Sequence, residues 1–275
     1  MVENRIKNPY ESPWYKARTF VFTALSLLLI VYLCWKSGVW PSKIAEGLSS
    51  ENLGKAVMIR DILHPDLSKA TIIQLSLLML TTIKIGFLGT VLAIIFSLPL
   101  GFIAAFNLMS GTIPQRAVFY STRGFFNLVR AFEAFILLLV LASIFGFNEL
   151  SGILAIGIHS IGMLGKLYAE AIESVDKKPI EAIQAVGGNK LQIIFYGILP
   201  QTYPLFIGYS LYRFDINVRM AFILGYIGVG GIGTLIFEYI QGFQFHKLST
   251  AFIITLVVIS LIDFVSTSIR KYLDR

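Results

Sequence analysis

The chain carries one cysteine in 275 residues, few charges and no phosphate-binding loop, and each shortage removes a class of protein. With Cys34 the single cysteine, neither a disulfide framework within the chain nor a cysteine-built zinc site exists here. No G-x-x-x-x-G-K-[ST] segment is present, so the chain does not bind ATP in that manner. Charged residues make up 14%, against about a quarter in a soluble domain. What fills the space is apolar: 56% of residues are hydrophobic and the mean hydropathy is +0.74, which argues against a soluble enzyme. The net charge of +7 leaves nucleic acid, an anionic substrate or a membrane surface as explanations until the basic residues are located.

A membrane-crossing helix needs about 20 apolar residues, and six runs approach that length. The first, about 19–35, follows a basic leader with Arg5, Lys7, Lys16 and Arg18, and reads as a retained anchor because no small-x-small cleavage site follows it. Residues 36–69 read as an extramembrane loop with Pro41, Gly47, Gly54 and Pro65. The apolar stretch 70–109 is too long for one simple span, so the pattern predicts an interfacial lead-in over 70–82 and a span over 83–107 interrupted at Pro99-Leu100-Gly101. The remaining spans are expected at about 128–145, 150–168, 199–223 and 248–267. Both termini are then expected in the cytoplasm. The alternate segments that this places inside hold Arg116, Arg123, Arg130, Lys166, Lys177, Lys178, Lys190, Arg270, Lys271 and Arg275 besides the leader, whereas the outer ones hold only Lys36, Lys43, Lys55, Arg60, Lys69 and Lys247. Orientation accounts for most of the positive surplus, and nucleic acid is not needed as a partner.

The loop after the fourth span is built as a docking element. Pro179 suits the first turn of a helix and Glu181 its positive end. Gly187 can close that helix in the left-handed region, and Asn189 with Gln192 forms a capping pair for a second short helix beyond a Gly187-Gly188 elbow. Ile180, Ile183 and Val186 recur at helical spacing, a pattern that also fits a helix resting on lipid headgroups.

Glu181-Ala182, Gly187 six residues after the glutamate, and the closing Leu199-Pro200 resemble the EAA loop of importer-type ABC transporter permeases, with Ile183 and Gly197 departing from the usual pattern. Further blocks are similar to the permeases of phosphonate and phosphite uptake systems: Gly89-Thr90, Leu98 to Gly101, Ala104 to Asn107, Gly162 to Glu173, and Leu211 to Arg219, with Asp215 where a glutamate is usual. The resemblance implies an all-α integral membrane protein of the ABC importer permease (type I) fold. It implies six transmembrane helices: an anchor and extracytoplasmic loop over 1–69, and a permease core over 70–275 with its coupling loop at 173–200. It implies further that Glu181, Ala182, Gly187 and Gly188 seat on an ATPase subunit. The implied assembly contains a second copy of the chain, two ATP-binding cassette subunits holding ATP and Mg, and an extracytoplasmic binding protein, all in a bacterial inner membrane. The chain itself is then no enzyme and carries no cofactor.

Arg213, Asp215 and Arg219 fall inside the fifth span, where each charge costs several kcal/mol by order of magnitude. Asp215 and Arg219 share a helix face and can pair, while Arg213 points elsewhere. Two roles stay open: an ion pair that fixes packing, or arginines lining a path for an oxyanion, which the planar guanidinium suits. His159 is expected to be hydrogen-bonded in packing and lacks companions at metal spacing, yet it joins the pathway candidates. Lys84 is expected to reach the headgroups with its stem, and Glu133 needs a partner or a place near the inner surface. Gly228-Val229-Gly230-Gly231-Ile232-Gly233 matches G-x-G-x-x-G but lacks the strand and acid that a dinucleotide site needs, so it predicts a sharp reversal or close helix approach. An importer of a different small solute and a secondary carrier remain as alternatives; the carrier reading expects an inverted repeat that the sequence does not display.

Overall fold

The computed structural model describes residues 13–36 and 53–273. Arg5, Lys7, Pro41, Lys43, Gly47 and Arg275 lie outside the described residues. The chain divides into two compact units, Met1–Ile59 and Arg60–Arg275.

The first unit holds α1, Pro13–Lys36, whose Phe20, Leu28 and Trp35 stay exposed as expected of a lipid-facing helix, and it includes the start of α2, Leu53–Leu63. Arg18 lies over the rings of Trp14 and Phe22 at 5.8 and 5.7 Å.

The described residues of the second unit form helices joined by short turns, with no strand among them. Helix α3, Lys69–Ile103, starts because the Ser68 hydroxyl accepts the Thr71 amide, while Asp66 accepts the Ser68 N–H at 3.0 Å. That N–H, followed by the Thr71 hydroxyl, holds the Asp66 carboxyl below the usual carboxylate range. This single helix replaces the predicted lead-in over 70–82 and interrupted span over 83–107. Pro99 lies inside it and does not break it; the helix ends four residues later, at Ile103, and a single further turn follows, α4, Phe106–Met109. A proline near a helix end forfeits one hydrogen bond without needing the helix to continue.

Helices α5, Ile113–Ala131, and α6, Ala134–Phe145, meet at an 87° bend, so the span predicted as continuous over 128–145 is broken at Phe132-Glu133. Helix α7, Glu149–Glu173, is the centre of the bundle: it packs on α3, α5, α6 and on α9, Lys190–Val229. Its seam with α3 is close because the residues are small. A side chain on Gly157 would come within 3.3 Å of the Gly89 carbonyl. Lys84 of α3 does more than reach toward headgroups, since its Nζ lies 2.6 Å from Glu149 Oε2 at the start of α7.

Between α7 and α9 lies α8, Lys177–Ala185. The predicted second short helix is instead the first turn of α9. Pro200 explains the wide π-helical turn over Ile193–Ile198: it offers no N–H, and the Leu199 N–H bonds back to the Ile194 carbonyl, five residues away. The far end of α9 breaks where Gly228, Gly230 and Gly231 take φ of 106°, 108° and 82°, a region glycine enters without a Cβ penalty. The chain bends 53° there into α10, Ile232–Gln241, as the glycine run predicts, and returns through α11, Phe245–Leu273. Among the described residues four helices are long and apolar enough to cross a membrane, and up to six spans result if each bent pair counts as one.

Candidate functional site

The loop between α7 and α9, predicted to couple to an ATPase, is fixed at both ends by hydrogen bonds to the backbone. Asp176 caps α8 by accepting the Lys178 N–H at 3.1 Å, and its own N–H donates to Gln201 Oε1 at 3.0 Å. At the other end Gly187, at φ 83°, donates to the Gln184 carbonyl at 3.0 Å, and Gly188 donates to the Ile183 carbonyl at 2.8 Å. Those two bonds make a complete Schellman closure. Asn189 and Gln192 then form the predicted capping box, with exchanged bonds of 2.9 and 2.7 Å.

Ile180 and Ile183 face inward onto a cluster built from Tyr168, Ile172, Ile193 and Ile198. Gly197 and Ile183, the two departures from the usual pattern, touch: a side chain on Gly197 would lie 3.3 Å from Ile183 Cδ1. The missing side chain at 197 makes room for the larger one at 183. Glu181, Ala182, Ala185 and Val186 remain exposed, so α8 presents a short face with an apolar edge beside a carboxylate. Replacing Gly187 by valine forces a β-branched residue into the left-handed region at a cost of about 1–2 kcal/mol. The expected outcome is faster amide hydrogen exchange from Val186 to Asn189, with little change in the melting temperature of the bundle.

One side chain ties this loop to the bundle. Glu173 Oε1, at the last residue of α7, accepts the Phe106 N–H at 2.6 Å and Arg123 Nη2 at 2.7 Å. Arg123 Nε donates to the Ala104 carbonyl at 3.1 Å and its guanidinium lies 4.9 Å from the Phe119 ring centre. Asn107 adds a bond to the Ile172 carbonyl at 2.8 Å. The ends of α3 and α7 and the middle of α5 therefore meet at one carboxylate, bordering a cleft of about 490 Å³ that Ile180, Glu181 and Lys190 line from the α8 side.

Within the apolar layer the predicted pathway residues separate onto two faces of α9. Arg213, 5% exposed, donates through Nε to Ser160 at 2.9 Å; Ser160 donates to Asn217 at 3.0 Å, and Asn217 to Thr90 at 2.9 Å. This buried polar chain links α3, α7 and α9. His159 Nδ1 lies 2.9 Å from the Phe132 carbonyl, the packing role expected of it. Glu133 is exposed in the gap between α5 and α6 and its side chain makes no ion pair or hydrogen bond among the described residues. Asp215 and Arg219 point the other way, toward Asp263 and Arg270 of α11, and form the predicted i,i+4 ion pair. Arg219 is half-exposed, whereas Asp215 is buried with Oδ1 lacking a hydrogen-bond partner among the described residues. Ser160, Thr90 and Glu173 escape sequence reasoning because serine and threonine in a span are unremarkable, and because the partners of Glu173 stand 50 and 67 residues away. Asn217 is legible as the residue one turn beyond Arg213.

A bundle of apolar helices that keeps a polar chain inside and presents a capped, half-exposed loop helix at one end defines a membrane transport subunit. The chain belongs to the family of binding-protein-dependent transport system inner membrane components, whose model matches residues 97–275. It is 32% identical to the phosphite transport system permease protein PtxC of Stutzerimonas stutzeri, over 89% of this chain and 86% of that one. It is 38% identical to the phosphate-import permease protein PhnE of Mycolicibacterium smegmatis, over 70% of this chain and 35% of that longer protein. Among solved structures, the MetNI methionine ABC transporter in an inward-facing conformation matches with a TM-score of 0.67 at 19% identity, covering 76% of this chain and 100% of that one, which shows the fold. The protein is a multi-pass inner-membrane transport subunit, not an enzyme.

Proposed function

We propose that this permease moves a phosphorus oxyanion, of the phosphite, phosphonate or phosphate type, into the cytoplasm by alternating access. Two copies form the path, each α8 seats on an ATPase subunit that binds ATP and Mg, and an extracytoplasmic binding protein delivers the anion. Six spans with both termini inside agree with the basic residues gathered at the α8 end. The observation that carries the reading is Arg213: a side chain only 5% exposed that gives Nε alone to a hydrogen bond among the described residues leaves its planar fork for an anionic guest. Similarity to phosphite and phosphate permeases supplies the phosphorus.

The test is uptake into proteoliposomes with the partner ATPases and with binding protein loaded in turn with phosphite, phosphonate and phosphate. Arg213→Gln is expected to lower uptake by at least about a hundredfold, the loss of a buried charged hydrogen-bond donor worth roughly 3 kcal/mol. Arg219→Gln, at a half-exposed site, should lower it by about tenfold or less with assembly intact. An assembly defect in both variants with normal uptake per assembled complex would assign these arginines to packing alone.

A further inference from the structure

The 22 residues from Leu248 to Ile269 of α11 hold one charge, Asp263. A helical run of that length rises about 33 Å, close to the thickness of the hydrocarbon layer, and places Asp263 roughly 10 Å inside it. The carboxylate is exposed and makes no hydrogen bond or ion pair among the described residues. A charge at that depth is too costly to leave against lipid, so something else covers this face.

Arg219 of α9 is the matching cation. It pairs with Asp215 on its own helix, yet its side chain is still 49% exposed. Its depth relative to Asp263 follows from two contacts. Arg270 lies over the Tyr212 ring at 5.9 Å, and Leu273 borders one crevice with Pro204 and Leu205, so α9 and α11 run antiparallel in a fixed register. Arg219 stands seven residues beyond Tyr212 and Asp263 seven before Arg270, which brings the two to the same level within about one turn. One turn farther along, Ile223 and Ser260 repeat the match, and both are exposed. The neighbouring cations are engaged elsewhere: Lys84 with Glu149, Arg213 with Ser160, and Arg270 with Ser266 and Thr267 of its own helix.

The cover must bring a cation to Asp263 and an anion to Arg219 at one depth. Helix α1 does not, because its residues from Thr19 to Trp35 carry no charge. A water-soluble partner does not reach that level. A second copy of the chain does: a two-fold axis along the membrane normal preserves depth, so it carries Arg219 of one copy to the level of Asp263 of the other and supplies the reciprocal pair at the same time.

We propose that two copies meet on the α9–α11 face, with Arg219 of each copy paired to Asp263 of the other. The proposal rests on the two-copy reading above and names its contact. Phe252 and Leu256 are exposed on the stripe of α11 that ends in Asp263, and with Ile223 they supply apolar contact. The charges set the register of the two copies more than the strength of their association.

The experiment is cross-linking between copies in the full complex, on a background in which Cys34→Ser leaves the chain without cysteine. One copy carries Ile223→Cys and a differently tagged copy carries Ser260→Cys, so both charges stay and every link joins two chains. A disulfide forms only between Cβ atoms a few ångström apart, so oxidation should link the mixed copies at least about tenfold faster than copies sharing one cysteine position. Adding Asp263→Asn to the Ser260→Cys copy should slow that link by about tenfold while the two tags still co-purify, as loss of register without loss of assembly requires. If a cysteine variant fails to insert, Arg219→Cys and Asp263→Cys copies replace the two and the rate of their mixed link decides. Slow linking in a complex that holds two copies, equal linking of like positions, or no response to Asp263→Asn overturns the pair and leaves the two-copy reading in place. A complex that holds a single copy overturns both.

Discussion

Glu181→Lys is expected to leave the protein inserted and folded yet reduce transport to background. The side chain is exposed on α8 and makes no ion pair or hydrogen bond among the described residues, so the fold does not depend on it. Lysine is as good a helix former as glutamate, and its new neighbours Lys177 and Lys178, one turn earlier, add a repulsion of only a few tenths of a kcal/mol. Whatever is lost therefore belongs to the surface that α8 presents to its partner. Inverting a charge inside a docked interface costs several kcal/mol, about a hundredfold or more in association. Co-purification of the ATPase should fall with uptake, while the melting temperature of the isolated permease stays within a few degrees. Normal uptake by Glu181→Lys would remove α8 from the coupling role.

Glu173→Leu is the second large effect, and it works through the fold. The substitution strands the Phe106 N–H and the Arg123 guanidinium at once, each orphaned donor costing roughly 1–3 kcal/mol, less for the part that water can reach. The expected phenotype is a complex that still binds its ATPases and hydrolyses ATP but moves several-fold fewer anions per ATP, because motion of α8 no longer reaches the end of α3 and the middle of α5. Arg123→Lys, which keeps the charge but not the fork, should be intermediate. The decisive measurement is the ratio of anion transported to ATP consumed in proteoliposomes. A purely structural loss lowers both in proportion, whereas a loss of coupling lowers the ratio.

The parts legible in the sequence are those governed by local chemistry. The Asn189 and Gln192 cap, the Gly187 closure, the glycine break before α10 and the Asp215–Arg219 pair each involve residues within a turn or two of one another, and the structure contains all of them. Length and hydropathy locate the membrane helices but misplace their bends. Pro99 suggests an interruption that four further helical residues carry through, while the real break, at Glu133, has neither proline nor glycine to announce it. That break is stabilised from outside the segment, by His159 on α7. Lys84 reads as a headgroup residue because Glu149, its partner, is 65 positions away and invisible to any local pattern. The candidate site divides in the same manner: the arginines are conspicuous as charges in an apolar run, and the neutral residues that receive them are not.

The polar chain from Thr90 through Asn217 and Ser160 to Arg213 bears on how the protein is made. On insertion scales an arginine or aspartate at the centre of a helix opposes entry into lipid by about 2.5–3.5 kcal/mol, and α9 carries Arg213, Asp215 and Arg219. Released alone into the bilayer, it is a poor candidate to stay. The order of synthesis removes the difficulty, because α3 and α7 leave the ribosome first and are already in place with the acceptors that α9 requires. Biogenesis of this permease is thus sequential by necessity, and a substitution at Ser160 or Thr90 should show itself first as failed integration of a helix that it does not belong to.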